Sequence, residues 1–130
     1  MLELDRGASG PPLTLHTTQP MLLYAMDAWV RDAAVLTDAA ALSDVLRTAA
    51  AAGGATVVGA EFYAFPNGAV TGVLLLAQSH LSVHTWPELG LANVDLLSCG
   101  AIDGNVVLAT IRVHLDVERA SVRCIHRSLA

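Results

Sequence analysis

A chain of 130 residues, 54% of them hydrophobic, is long enough for one domain with a continuous core. The net charge of −5, with seven Lys plus Arg and no run of them, argues against nucleic-acid binding, which rests on clustered cations. No apolar stretch approaches the roughly 20 residues of a membrane span, and the acidic start Met1-Leu2-Glu3-Leu4-Asp5 lacks the apolar centre of a secretory signal.

Two cysteines, Cys99 and Cys124, make no disulfide framework, so a reducing cytoplasm is expected. A negative protein suits a cationic small ligand, and the high hydrophobic fraction fits a buried subunit interface.

Residues 1–19 contain Gly7-Ala8-Ser9-Gly10-Pro11-Pro12 and predict a loosely ordered leader, followed by a single domain over 20–130. Met21 to Met26 is a short apolar run between Pro20 and Asp27 that reads as a buried strand, although periodicity alone leaves a helix open. Thr37 or Asp38 caps the next segment, where Leu42, Val45, Leu46 and Ala49 fall on one helical face before Gly53-Gly54 stops it. Ala55 to Phe65, rich in Val and aromatics, and Val70 to Ala77 read as antiparallel strands joined by the turn Pro66-Asn67-Gly68. Leu81 to Trp86 and Leu91 to Ser98 form a further hairpin around Pro87-Glu88-Leu89-Gly90. A second helix begins near Asp103 and buries Val107, Leu108, Ile111 and Leu115; Ala120 to His126 is a last strand. The order β-α-β-β-β-β-α-β predicts an α+β fold, an antiparallel sheet with two helices packed on one face as an α/β sandwich.

Polar chemistry gathers between Gln78 and Gly100. His80 and His84 are four apart, but on a strand that spans about 13 Å, too far for one ion, and no further ligands are evident, so no metal is expected. A Ser-His hydrolase would want a Gly-x-Ser-x-Gly elbow and an orienting acid, and neither is present. Serine has another use. Its hydroxyl can attack the carbonyl of the preceding residue and turn the amide into an ester. β-Elimination then cuts the chain and leaves dehydroalanine, which hydrolyses to an N-terminal pyruvoyl group, an electron sink made without an imported cofactor. Such chemistry needs a strained peptide at the serine and a base for its α-proton.

The string Ser79-His80-Leu81-Ser82-Val83-His84-Thr85-Trp86-Pro87-Glu88 is followed by Asp95 and Cys99-Gly100 and preceded by Phe65-Pro66-Asn67-Gly68-Ala69-Val70-Thr71-Gly72-Val73. Over residues 55–100 it resembles the bacterial-type S-adenosylmethionine decarboxylase proenzyme family. The resemblance implies self-cleavage between Gln78 and Ser79, giving a β chain of 1–78 and an α chain of 79–130 headed by a pyruvoyl group derived from Ser79. It implies His84 as the processing base, with Thr71 where the family usually has an assisting serine, and Cys99 as the proton donor to the decarboxylated carbon. Phe65 and Trp86 match positions facing the adenine and sulfonium of S-adenosylmethionine, and Glu88 a carboxylate that hydrogen-bonds the substrate. The implied product is the aminopropyl donor of spermidine and polyamine synthesis. The implied assembly is a homodimer of processed αβ protomers with shared active sites.

Taken alone, Phe65 and Trp86 read as core, Cys99 as a small buried hydrophobe and Glu88 as a solvated turn carboxylate. The chain also departs from the family: Gln78 replaces a glutamate, Leu89 and Leu91 replace tyrosines, Asn93 replaces an alanine, and the histidine that commonly opens the first strand is absent. These changes leave open a decarboxylase of ornithine or arginine, or a non-processing relative that binds or regulates. One geometric constraint stands out. A straight strand over 79–84 puts Ser79 and His84 about 16 Å apart on opposite faces. Either the backbone turns sharply at Gln78–His80, or a partner subunit supplies one of the two.

Overall fold

The computed structural model describes residues 21–128, so the expected leader over 1–19 lies outside the described residues. Strand β1 (Met21–Val30) turns Tyr24, Met26, Ala28 and Val30 inward. It runs four residues past the apolar stretch expected from the sequence. Asp27 does not end it, because Asp27 and Trp29 belong to the strand's outward face, where polar and amphipathic side chains are at home.

A 3-10 turn (Ala33–Thr37) buries Leu36 and leads into helix α1 (Ala39–Ala52). Asp38 is its N-cap, its carboxylate accepting from the Ala41 amide at 3.0 Å. Leu42, Leu46, Ala49 and Ala50 are buried, and the chain leaves the helix through Gly53 and Gly54, the latter at a φ of 84° that suits glycine.

Strands β2 (Val57–Ala64), β3 (Val70–Leu76), β4 (Ser79–Trp86) and β5 (Leu91–Ser98) follow as a meander. Helix α2 (Gly104–His114) begins at Asp103, whose carboxylate accepts from the amides of Asn105 and Val106. Strand β6 (Val117–Arg127) ends the described chain.

The six strands form one antiparallel sheet in the order β2-β3-β4-β5-β1-β6, with β1 inserted between β5 and β6. Both helices cover one face. Leu42, Leu46, Val107 and Ile111 pack there against Met26, Leu74, Leu81 and Val94. Each fully buried aliphatic side chain of this kind contributes about 1.5–3 kcal/mol.

No described element covers the opposite face, and the register arranges its side chains in rows across the strands. One row reads Leu75, His80, Leu97, Leu23, Ile125; another reads Thr71, His84, Asn93, Asp27, Ser121; and Trp86, Leu91, Trp29 and Arg119 form a third. Among the described residues no helix is long and apolar enough to cross a membrane.

Candidate active site

The residues singled out in the sequence lie at the two ends of β4. At its start, Leu76 pairs with Ser79 and closes a two-residue hairpin over Ala77-Gln78. Gln78 has a φ of 63°. That conformation pushes a β-carbon toward the carbonyl oxygen and costs a non-glycine residue about 1–2 kcal/mol. In a turn with positive φ only at its second central position, glycine is the usual occupant. A strained peptide therefore sits immediately before Ser79.

Two neighbours hold that peptide. The Ser79 hydroxyl donates to the carbonyl of Leu97 on β5. The Cys99 thiol donates to the carbonyl of Gln78 at 3.1 Å. Burial pushes the Cys99 thiol up from its ordinary value, which keeps its proton in place at neutral pH. Cys99 is itself fixed by the turn that follows β5: the Ser98 hydroxyl donates to the Ile102 carbonyl at 2.9 Å, and the Asp103 amide donates to Gly53. A cavity of about 210 Å³ opens beside the Gln78–Ser79 bond, lined by Gly54, Thr56, Gln78, Cys99 and Ile102 among others.

At the other end of β4, Thr71 of β3 lies directly opposite His84, and its hydroxyl is 2.6 Å from His84 Nδ1. With Nδ1 engaged, Nε2 is the ring atom left to meet a reactant. The His84 ring meets Trp86 edge-on at 4.6 Å and 68°, and Phe65 in the same manner at 6.4 Å and 61°. Tyr63 extends the series, 4.9 Å from Phe65. Phe65, His84 and Trp86, with Asn67 and Glu88, line an open groove of about 460 Å³. Beneath the groove, buried Thr85 accepts from the Val70 amide and donates to the Leu36 carbonyl, both at 2.8 Å, tying β3, β4 and the 3-10 turn together.

The structure thus brings Gln78, Ser79 and Cys99 together, and separately gathers Thr71, His84, Phe65, Trp86 and Glu88. It does not join the two sets within one protomer. The sharp bend is present, but at Ala77-Gln78, just ahead of the serine, and Ser79 to Trp86 is one uninterrupted strand. His84 stays about 16 Å from Ser79. His80 and His84 share the open face of that strand. Among the described residues no three His, Cys, Asp or Glu side chains cluster as a metal site requires.

Sequence reasoning missed three contributors: Tyr63, Thr85 and the Asp27–Asn93 pair, in which Asn93 accepts from the Trp86 indole at 2.7 Å and donates to Asp27 at 2.9 Å. Tyr63 and Asn93 do alternate onto the same face as Thr71 and His84, a signal that strand parity alone offers.

An α/β sandwich that presents a serine directly after a strained hairpin, with a thiol on the carbonyl before it, defines a class of protein. The comparisons give that class its name. Residues 22–128 match the family model described as S-adenosylmethionine decarboxylase, and the chain belongs to that family. It is similar to the S-adenosylmethionine decarboxylase proenzyme of Symbiobacterium thermophilum, 42% identical over 93 residues, which are 71% of this chain and 70% of that one. The proenzyme of Methanococcus maripaludis is 33% identical over 105 residues, covering 80% of this chain and 86% of its own. Among solved structures, the crystal structure of the adenosylmethionine decarboxylase from Aquifex aeolicus matches with a TM-score of 0.77 at 30% identity, covering 86% of this chain and 93% of that one.

Proposed function

We propose that this chain is a self-processing decarboxylase of S-adenosylmethionine in which Ser79 becomes a pyruvoyl group. The observation that carries the reading is the Cys99 thiol on the Gln78 carbonyl, with Gln78 held in the left-handed region one residue before the serine. Ser79 Oγ attacks the Gln78 carbonyl carbon, the C–N bond breaks, and an ester replaces the amide. The thiol donor polarises that carbonyl, and the strained backbone is relieved as the peptide is lost. A base then takes the Ser79 α-proton, the Cβ–O bond breaks, and Gln78 leaves as a carboxylate. Water displaces ammonia from the resulting dehydroalanine.

The group so formed supplies an electron-withdrawing ketone for decarboxylation of an amino acid. The surrounding residues fit that use. Cys99 holds a proton beside the new terminus. Phe65, His84 and Trp86 offer ring faces to a flat base and to a sulfonium cation, and Glu88 offers a carboxylate to polar substituents.

His84 serves as the base for a second copy of the chain. In a homodimer stacked sheet to sheet about a twofold axis running across the strands, the His84 end of one β4 lies over the Ser79 end of the other, which makes two composite sites. The sheet face that no described element covers supports this, with Leu75 and Ile125 about half exposed and in one row with Leu23 and Leu97. Two unpaired thiols, Cys99 and Cys124, suit the cytoplasm.

Carbon dioxide release from labelled S-adenosylmethionine, ornithine and arginine tests the reading. Release from S-adenosylmethionine alone, abolished in Ser79→Ala, is expected; release from a basic amino acid instead would overturn the substrate assignment.

A further inference from the structure

The Trp86 indole does not point across the sheet at its register partner Leu91. It leans back along β4, over His84, and donates to Asn93 Oδ1 at 2.7 Å. Asn93 is the register partner of His84, so Trp86 and Asn93 are diagonal neighbours, a separation that a large aromatic side chain can bridge. The same amide donates from Nδ2 to Asp27 Oδ1 at 2.9 Å on β1, the next strand over. This chain of bonds has one direction. An indole N–H is donor-only and a carboxylate is acceptor-only, so the Asn93 amide has a single orientation that satisfies both. The last bond is charge-assisted, which fixes the amide more firmly than a neutral acceptor would.

Trp86 is 40% exposed and Glu88 is exposed, so packing alone does not hold this wall of the groove. The ring edge against His84 and the bond to Asn93 are what restrain the indole. His84 is held independently by Thr71. We infer that Asp27 and Asn93 are positioning residues that lock the Trp86 indole against the groove, and so set how well the substrate's ring or sulfonium is received, without taking part in backbone cleavage. This rests on the groove being the substrate site proposed above.

The experiment compares Asn93→Ala, Asp27→Ala and Asp27→Asn. In the active enzyme, Asn93→Ala and Asp27→Ala should raise KM about five- to tenfold, with kcat and the extent of self-cleavage within twofold of the parent. Asp27→Asn keeps an acceptor for Asn93 and should recover most of the loss. A second readout needs no activity. In the uncleaved Ser79→Ala chain carrying Trp29→Phe, Trp86 is the remaining tryptophan, and its quenching by acrylamide should roughly double on Asn93→Ala but not on Asp27→Asn. An unchanged KM with unchanged quenching overturns the inference. So does a parallel fall of kcat and self-cleavage, which would mean general damage to the fold. Freed indole in the uncleaved protein, together with a parent enzyme that does not act on S-adenosylmethionine, would keep the lock and remove the substrate reading.

Discussion

Cys99 and Gln78 are 21 residues apart in sequence, yet the thiol of one donates to the carbonyl of the other across 3.1 Å. In the proposed mechanism the contact gives a single side chain two successive tasks. Before cleavage it sits on the carbonyl that the Ser79 hydroxyl must attack. After cleavage that carbonyl is part of a leaving carboxylate, and the proton on sulfur is available to the substrate.

The two tasks separate by mutation. Cys99→Ser keeps a donor for Gln78 and should cut itself within about threefold of the parent rate, while decarboxylation falls by about 10²–10⁴, the range for losing a well-placed proton donor. Cys99→Ala should slow both. Cleavage followed by gel and turnover followed by carbon dioxide release check the pair.

Burial raises the Cys99 thiol above its ordinary value of 9.0. A folded-state value raised above the unfolded one contributes stability below the unfolded value and loses it as pH climbs through the folded value. The parent chain should therefore lose stability relative to Cys99→Ser only above about pH 9, and turnover should show no thiol-linked loss at neutral pH. Denaturant midpoints from pH 7 to 10.5 measure the difference; a gap that opens below pH 8 would contradict it.

The left-handed backbone at Gln78 predicts opposite effects of one substitution on two properties. Gln78→Gly removes the steric cost, so in the Ser79→Ala background it should stabilise the fold by about 1 kcal/mol. With Ser79 present, the same change lowers the ground state that cleavage starts from and should slow processing roughly fivefold. Thermal melts and a cleavage time course measure the two.

Thr71 and His84 stand 2.6 Å apart at the far end of the strand from Ser79. His84→Ala should stop the reaction at the ester, seen as chain that hydroxylamine splits at Ser79, and Thr71→Val should slow processing about tenfold while Thr71→Ser does not. Mixing gives a sharper outcome. Ser79→Ala and His84→Ala are each uncut alone, but a heterodimer holds one site with both groups, so co-expression should restore cleavage of the His84→Ala chain. No cleavage in a verified heterodimer would contradict a shared site.

Helices were the most legible part of the fold, because Asp38 and Asp103 cap them and apolar side chains recur at helical spacing. Strand β1 was legible only to Met26, since its outward-facing Asp27 and Trp29 broke an apolar run that was in truth half of an alternation. Its place between β5 and β6 had no local signal at all. At the site, the residue types near Ser79 were readable from the motif, and strand arithmetic already set Ser79 and His84 apart. The Asp27–Asn93 bond was not readable, because it joins residues 66 apart through a strand register that only the folded sheet defines. Asn93 stood out in the sequence as a departure, with no partner to explain it.

Intact-mass spectrometry of the purified, folded protein tests self-cleavage most directly. The expected spectrum holds two fragments, residues 1–78 ending in the Gln78 carboxylate and residues 79–130 with a terminus lighter than serine by one ammonia. A chain that stays whole while releasing carbon dioxide from S-adenosylmethionine would contradict the mechanism.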